Sequence, residues 1–288
     1  DYRFDICEFK KIKNCIMKNK PDFIFHLAAQ SLVVKAHEDP MYTWQTNLLG
    51  TVNILNTLRF LKNKCNIVII TSDKCYKNLE IKKGYKESDT LGGVDPYSAS
   101  KASAELAIHS YFESFLKNKK NIKIVSCRAG NVIGGGDWSK NRLVPDCIRA
   151  WVNRKIVKIK NPHSTRPWQH VLEPLGGYLR LASILSQDLE LHGEAFNFGP
   201  PAQQNHSVIE LVKEMSLSWS EVRWEESKSK SSEFYESGLL KLNCDKALHY
   251  LDWYAVLSFQ ETVALTASWY KAYYEDPASI RSITDKQI

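Results

Sequence analysis

Three short apolar runs constrain this chain most: DFIFHLA at 22–28, NIVIITS at 66–72 and IKIVSC at 122–127. Each is of strand length, rich in Ile, Val and Phe, and set among longer segments of helical pattern. Those segments cover 10–19, the stretch from Pro40 to Lys62, and the stretch from Pro96 to Leu116. Strands alternating with long helices predict an α/β fold, a doubly wound parallel sheet buried on both faces. In such sheets ligands bind beyond the carboxyl ends of the strands. The second run ends in Thr71-Ser72-Asp73-Lys74, which puts a hydroxyl, a carboxyl and an amine at that edge. Taken alone, those four residues are equally well explained as a polar surface loop.

After Arg128 the texture changes. Gly134-Gly135-Gly136 predicts a flexible loop, shorter elements follow, and helical patterns return at 171–185, 207–215 and 259–273. The reading is one domain over 1–130 and a smaller one mainly over 131–288, with 171–199 returning to the first. A chain of 288 residues has room for both cores. No apolar run reaches membrane-span length, and no signal pattern opens the chain. Seven scattered cysteines without a C-x-x-C pair point to a reducing cytoplasm, and away from a zinc site or disulfide frame. His26, His163 and His170 lack a supporting carboxylate or Cys cluster, so no metal is expected. The net charge of +7 suits an anionic partner. The lysines nevertheless fall in helix-surface patterns such as KNKKNIK at 117–123, and no nucleic-acid motif accompanies them. Nucleic acid is therefore not an expected partner.

The segment YSASK places Tyr97 and Lys101 four residues apart, on one face of the predicted helix. An ammonium close to a phenol favours the phenolate and lowers a pKa that is otherwise about 10. The product is a base able to take a proton from a sugar hydroxyl. Lysine is abundant here, so a chance spacing is the bland alternative. Of the thirteen tyrosines, however, only Tyr97 has Lys four residues on, and it follows the TSDK strand end by one loop.

The motifs HLAAQ (26–30), TNLLGTVN (46–53), TSDKCY (71–76), YSASKA (97–102), RAGNVIGGGDW (128–138), RLVPD (142–146) and RPWQHVLEPLGGYL (166–179) occur in one order along the chain. In this the sequence resembles the nucleotide-sugar 4,6-dehydratases of the extended short-chain dehydrogenase/reductases, and among them the branch acting on CDP-glucose. The resemblance implies a Rossmann-like sheet with a smaller C-terminal substrate domain, bound NAD, and a cytoplasmic homodimer. Helices 40–62 and 96–116 form its four-helix bundle, and the product feeds surface-polysaccharide precursors. It also implies roles. Tyr97, with Lys101, takes the glucose O4 proton as C4 passes hydride to NAD, and Ser72 hydrogen-bonds that oxygen. Asp73 protonates the departing C6 hydroxyl, and hydride then returns to C6. Lys74 stands where dTDP-glucose relatives carry Glu; it is either the base for the C5 proton or only orients Asp73 or the ketone. Asp5 and Ile6 match the position that contacts adenine, while Leu27, Ala28 and Ala29 line the NAD cleft. Thr46 and Asn47 are weaker matches and could equally be packing residues. Asn131, Arg142 and Arg166 match positions facing the diphosphate and sugar, where an Arg fork suits phosphate.

The chain also departs from the pattern. Tyr235-Glu236-Ser237 stands in place of His-Glu-Ala, and in LDWYA (251–255) Asp252 replaces a turn glycine and Ala255 a proline. There is no G-x-x-G-x-x-G, the loop that receives the pyrophosphate at a helix N-terminus. The expectation is that two βα units, on the order of 60 residues, are absent. The strand at 22–28 would then present an open apolar edge. The chain is on that reading a piece of a longer enzyme or a truncated product. The alternatives to dehydration of CDP-glucose are a UDP- or dTDP-sugar dehydratase, a 4-epimerase, or a nucleotide-binding remnant without catalysis. An epimerase needs Tyr and Lys but not the Asp acid, so SDK weighs against it.

Overall fold

The computed structural model describes residues 1–159, 161–187, 190–201, 203–219, 222–226 and 238–288. Its main sheet has four strands, β1 (Phe23–His26), β2 (Cys65–Ile70), β3 (Ile122–Ala129) and Ala195–Phe198, hydrogen-bonded in that order and all parallel. Side chains alternate across a strand, and here both faces are covered. Ile67, Ile69, Ile122 and Ile124 pack with Ile12, Ile16, Leu55, Leu58, Ile108 and Leu116 on one side. Val68, Val125 and Cys127 pack with Tyr178, Leu181 and Leu185 on the other. Burial on both faces is why the strands read as continuous apolar runs, each fully buried Ile or Val being worth roughly 1.5–3 kcal/mol. The second face is closed by the helix Leu172–Gln187.

Local chemistry fixes the helix starts. Asp39 accepts from the Tyr42 amide at 3.0 Å, and Asp95 from the Tyr97 and Ser98 amides at 2.9 and 3.0 Å. Each is an N-cap followed by Pro at the first helical position. The first of these helices runs Pro40–Leu58 with a π-helical turn at Gln45–Leu49, and so stops short of the expected Lys62. Lys119 is the reason: its Nζ donates to the carbonyls of Leu58, Arg59 and Leu61 at 3.1, 2.6 and 3.3 Å, capping the helix end. The second runs Pro96–Tyr111 and continues as a π-helical turn to Leu116.

A second core gathers the helices Leu143–Val152, Val208–Ser216 and Phe259–Glu275 around Trp151, Leu211, Met215 and Tyr270. The helices Val33–Glu38, Leu143–Val152, Asp245–Leu251 and Ile280–Gln287 were not among the sequence expectations. At the LDWYA departure, Asp252 itself adopts the left-handed conformation (φ 48°) that the absent glycine would supply, a conformation Asp tolerates better than most residues. Trp253 then packs edge-on against Phe198. The Val256 and Leu257 amides donate to Glu173 at 2.9 and 2.7 Å, so the turn keeps its anchor. The YES departure at 235–237 lies outside the described residues. Among the described residues no helix is long and apolar enough to cross a membrane.

Candidate active site

Strand β2 delivers Thr71 and Ser72 to the carboxyl edge of the sheet, where Asp73–Cys75 forms a single 3₁₀ turn. Ser72 caps that turn: its Oγ accepts from the Lys74 amide at 3.2 Å and donates to Asp73 Oδ1 at 2.9 Å. The Asp73 carboxyl is almost fully enclosed. Its other oxygen accepts from Asn131 Nδ2 at 3.3 Å. Asn131 follows β3 in a left-handed turn (φ 54°). The carboxyl lies against the backbone of Gly130, where a Cβ would come within 1.9 Å of Oδ2, so only glycine fits beneath the acid. Burial pushes the Asp73 pKa up, and the charges of Lys74 and Arg166 and the bond from Ser72 only partly offset this. A carboxyl held toward its protonated form is a proton donor.

Tyr97 and Lys101 rise from the first turns of the Pro96–Tyr111 helix and are buried. The phenol lies close enough to Ser72 for that hydroxyl to act on it. Burial pushes its pKa up to about 12, with Ser72 and Arg142 pulling down and Asp73 pushing up. The expected lowering of the phenol by Lys101 is therefore not what the structure shows. The Lys101 ammonium is directed to the Ile70 carbonyl, 3.4 Å away, and is itself brought down to about 8 by burial, with Glu105 opposing. Lys74 is half-buried beside Asp73.

The remaining expected residues fall into two groups. Arg142 donates to Ser31 Oγ at 3.0 Å and lies 3.6 Å from Asp137, within electrostatic reach of Tyr97. Arg166 is buried and near enough to Asp73 to act on its carboxyl. These two, with Asn131, Ser72, Asp73, Lys74, Tyr97 and Lys101, converge on the end of β2. Leu27, Ala28 and Ala29 form the segment beyond β1, with Leu27 and Ala28 exposed. Asn47 has its amide spent on holding that segment. It accepts from the Gln30 amide at 2.8 Å and donates to the Gln30 carbonyl at 3.0 Å and to Ser100 at 2.9 Å. Ile6 lies against the helix Gly50–Leu58, with Asp5 just before it in the chain. Ile6 sits where any side chain at position 50 would come within 2.7 Å, and its carbonyl accepts from Asn53 at 3.0 Å. The exposed Asp5 carboxyl is held low mainly by the Cys7 amide. His26 is a buried partner of Thr51 at 3.1 Å, and no metal-holding cluster exists among the described residues.

Sequence reasoning missed Glu105, Arg128 and Tyr76. Glu105 and Arg128 form a buried ion pair at 2.9 Å directly behind the site. The signal was available: a carboxylate inside the apolar face of a helix, and a guanidinium inside an apolar strand.

A family model described as GDP-mannose 4,6 dehydratase matches residues 2–266. The CDP-glucose 4,6-dehydratase of Salmonella typhimurium is 42% identical over 93% of this chain and 76% of its own length. The chain belongs to the nucleotide-sugar 4,6-dehydratase family. Two solved structures share its fold. The dTDP-glucose 4,6-dehydratase of Bacillus anthracis, in complex with NAD, has a TM-score of 0.75 at 18% identity, covering 98% of this chain and 81% of that one. The UDP-glucose 4-epimerase of Thermotoga maritima, with UDP-glucose, has a TM-score of 0.78 at 19% identity, covering 95% and 84%. The Rossmann-like α/β architecture expected from the sequence is thus the one found.

Proposed function

We propose that this chain dehydrates CDP-glucose across C5 and C6 to the 4-keto-6-deoxy sugar, with NAD as cofactor. The observation that carries this reading is the enclosed carboxyl of Asp73, held toward its protonated form at the end of β2 beside Ser72, Tyr97 and Lys101. An epimerase needs the base but not this acid. The 42% identity to a CDP-glucose enzyme supports the choice of nucleotide.

The donor set fits the ribose and ring portions of NAD, while the glycine loop that receives the pyrophosphate is not in this sequence. Lys101 is a buried ammonium with three donors, and the hydrogen bond described for it, to Ile70, is a long one, which suits the vicinal hydroxyls of a ribose. Small, exposed Ala28 beside Leu27 leaves room for a flat ring, and Asp5 offers an exposed carboxylate oxygen. Asp5, Ile6, Leu27, Ala28, Ala29, Tyr97 and Lys101 are the residues that would hold it, with Asn47 fixing the 27–30 segment. When bound, NAD supplies a reversible two-electron acceptor that oxidises C4 and later reduces C6.

In this scheme Tyr97 acts as its phenolate, the minor form that burial leaves at neutral pH, and takes the proton from O4, with Ser72 beside the same group. With C4 a ketone, the C5 hydrogen becomes acidic. Lys74, in its neutral amine form, receives the C5 proton while Asp73 gives its proton to the C6 oxygen, which leaves as water. Arg142 and Arg166 take the diphosphate and Asn131 the sugar. A Lys74→Gln enzyme with normal solvent exchange at C5 would remove Lys74 from its role.

The helices of 40–58 and 96–116 expose the apolar side chains of Met41, Leu49, Leu106 and Phe115, which supports a homodimer through these two helices. Leu106→Glu is expected to yield monomers on sedimentation. Seven free thiols support a cytoplasmic setting, and a 4-keto-6-deoxy sugar nucleotide suits a role in surface-polysaccharide synthesis.

The test is product mass. The chain is incubated with NAD and each of CDP-, UDP-, dTDP- and GDP-hexose. Loss of one water from CDP-glucose is expected; an isomer of unchanged mass, or no reaction, counts against the proposal.

A further inference from the structure

Behind the site, two charges sit where water does not reach. Glu105 and Arg128 are each 4% exposed. Glu105 lies one helical turn after Lys101, and Arg128 in β3. Their partners are not random. The Glu105 carboxylate accepts from Thr71 Oγ1, from Ser126 Oγ at 2.9 Å and from Arg128 Nη2 at 2.9 Å. Arg128 Nη1 donates to Tyr76 Oη at 2.8 Å and to the Glu87 carbonyl at 2.9 Å, and the guanidinium lies 5.0 Å from the Tyr76 ring centre. Tyr76 in turn donates to Asn197 Oδ1 at 2.8 Å and stacks on Tyr85 with 5.0 Å between ring centres.

Thr71 and Tyr76 are the residues flanking the segment Ser72–Cys75. We propose that the Glu105–Arg128 pair is a positioning device for the dehydration, gripping the acid-bearing turn at both ends. It rests on the reading of that turn as the dehydration site. A buried ion pair gives little stability that apolar packing would not, so its value here is geometric. The turn between its anchors is short and carries Asp73, whose proton must reach a leaving oxygen; a displacement of about 1 Å can cost about 100-fold in rate. The same carboxylate also acts on Lys101 from one turn away, keeping the proton on its ammonium against burial. Glu105 and Arg128 act through Asp73 and Lys101, without touching substrate.

Four variants separate these effects. Arg128→Lys keeps the charge but loses the fork, Thr71→Val and Tyr76→Phe each cut one anchor, and Glu105→Gln keeps shape but loses charge. In Arg128→Lys, kcat for water loss is expected to fall about 100-fold with KM little changed, and Thr71→Val and Tyr76→Phe are expected to show smaller falls of the same kind. In Glu105→Gln the alkaline limb of the kcat profile should move to lower pH, because Lys101 loses the carboxylate that holds its proton. Amide hydrogen exchange by mass spectrometry should speed up within 71–76 in Arg128→Lys and Thr71→Val. Wild-type kcat together with unchanged exchange in 71–76 overturns the proposal. Should Arg128→Lys not fold, the two single-anchor variants decide by the same readouts. If the wild-type chain dehydrates none of the four nucleotide hexoses, the functional reading fails separately, while the exchange data still decide the grip.

Discussion

Two buried carboxyls stand on either side of Thr71, and their surroundings drive them in opposite directions. Burial pushes Glu105 up as it does Asp73, but Arg128 and the hydroxyls of Thr71 and Ser126 together hold it below the ordinary carboxylate range. Asp73 has a hydroxyl, a long amide contact and two more distant cations, and burial wins. Depth is the same; the number and charge of donors differ. The comparison teaches how a lasting anion on a helix and a titrating acid at a strand end can be held on either side of one threonine.

The largest way to break this comparison is to remove the acid. Asp73→Asn should lower the rate of water loss by about 10²–10⁴-fold, the usual worth of a general acid, read from product formation. Next is the anion. Glu105→Gln leaves Arg128 buried without its partner and should cost about 3–5 kcal/mol in urea unfolding at neutral pH.

Stability against pH sharpens the contrast, since the two signs differ. A carboxyl raised above its ordinary 3.8, as in Asp73, contributes stability present below that value and lost as pH rises through the folded pKa. One lowered from 4.5, as in Glu105, contributes stability present above that value and lost as pH falls through the folded pKa. Glu105→Gln should therefore remove part of the acid-side loss of stability. A third cation-dependent effect is on rate. Lys101 loses its proton near pH 8, so kcat/KM should fall as pH rises through about 8, and Lys101→Arg should move that limb upward. The smallest effect expected is the reverse of the second: Asp73→Asn should stabilise the fold by about 1 kcal/mol at neutral pH, the trade-off typical of active-site groups.

The sequence carried what is local. Apolar strand runs, Asp-Pro helix starts and the Tyr97/Lys101 spacing all arise within a few residues, so the sheet and the edge where the site lies were legible. The pairing of Glu105 with Thr71, Ser126 and Arg128 was not, because it depends on which strands become neighbours. The end of the Pro40 helix was misjudged for the same reason: Lys119, on a distant loop, takes its carbonyls. The direction of the Tyr97 shift was also missed. Spacing brings an ammonium to the same helix face, but burial of the phenol and the aim of Lys101 at Ile70 are set by packing.

The most direct test is a single-turnover comparison of wild type and Asp73→Asn with CDP-glucose and NAD, following sugar oxidation by reduced-dinucleotide absorbance and water loss by product mass. The account predicts that wild type completes both, while Asp73→Asn oxidises the sugar and then stalls with water retained. Water loss at the wild-type rate in Asp73→Asn would contradict the assignment of Asp73 as the acid.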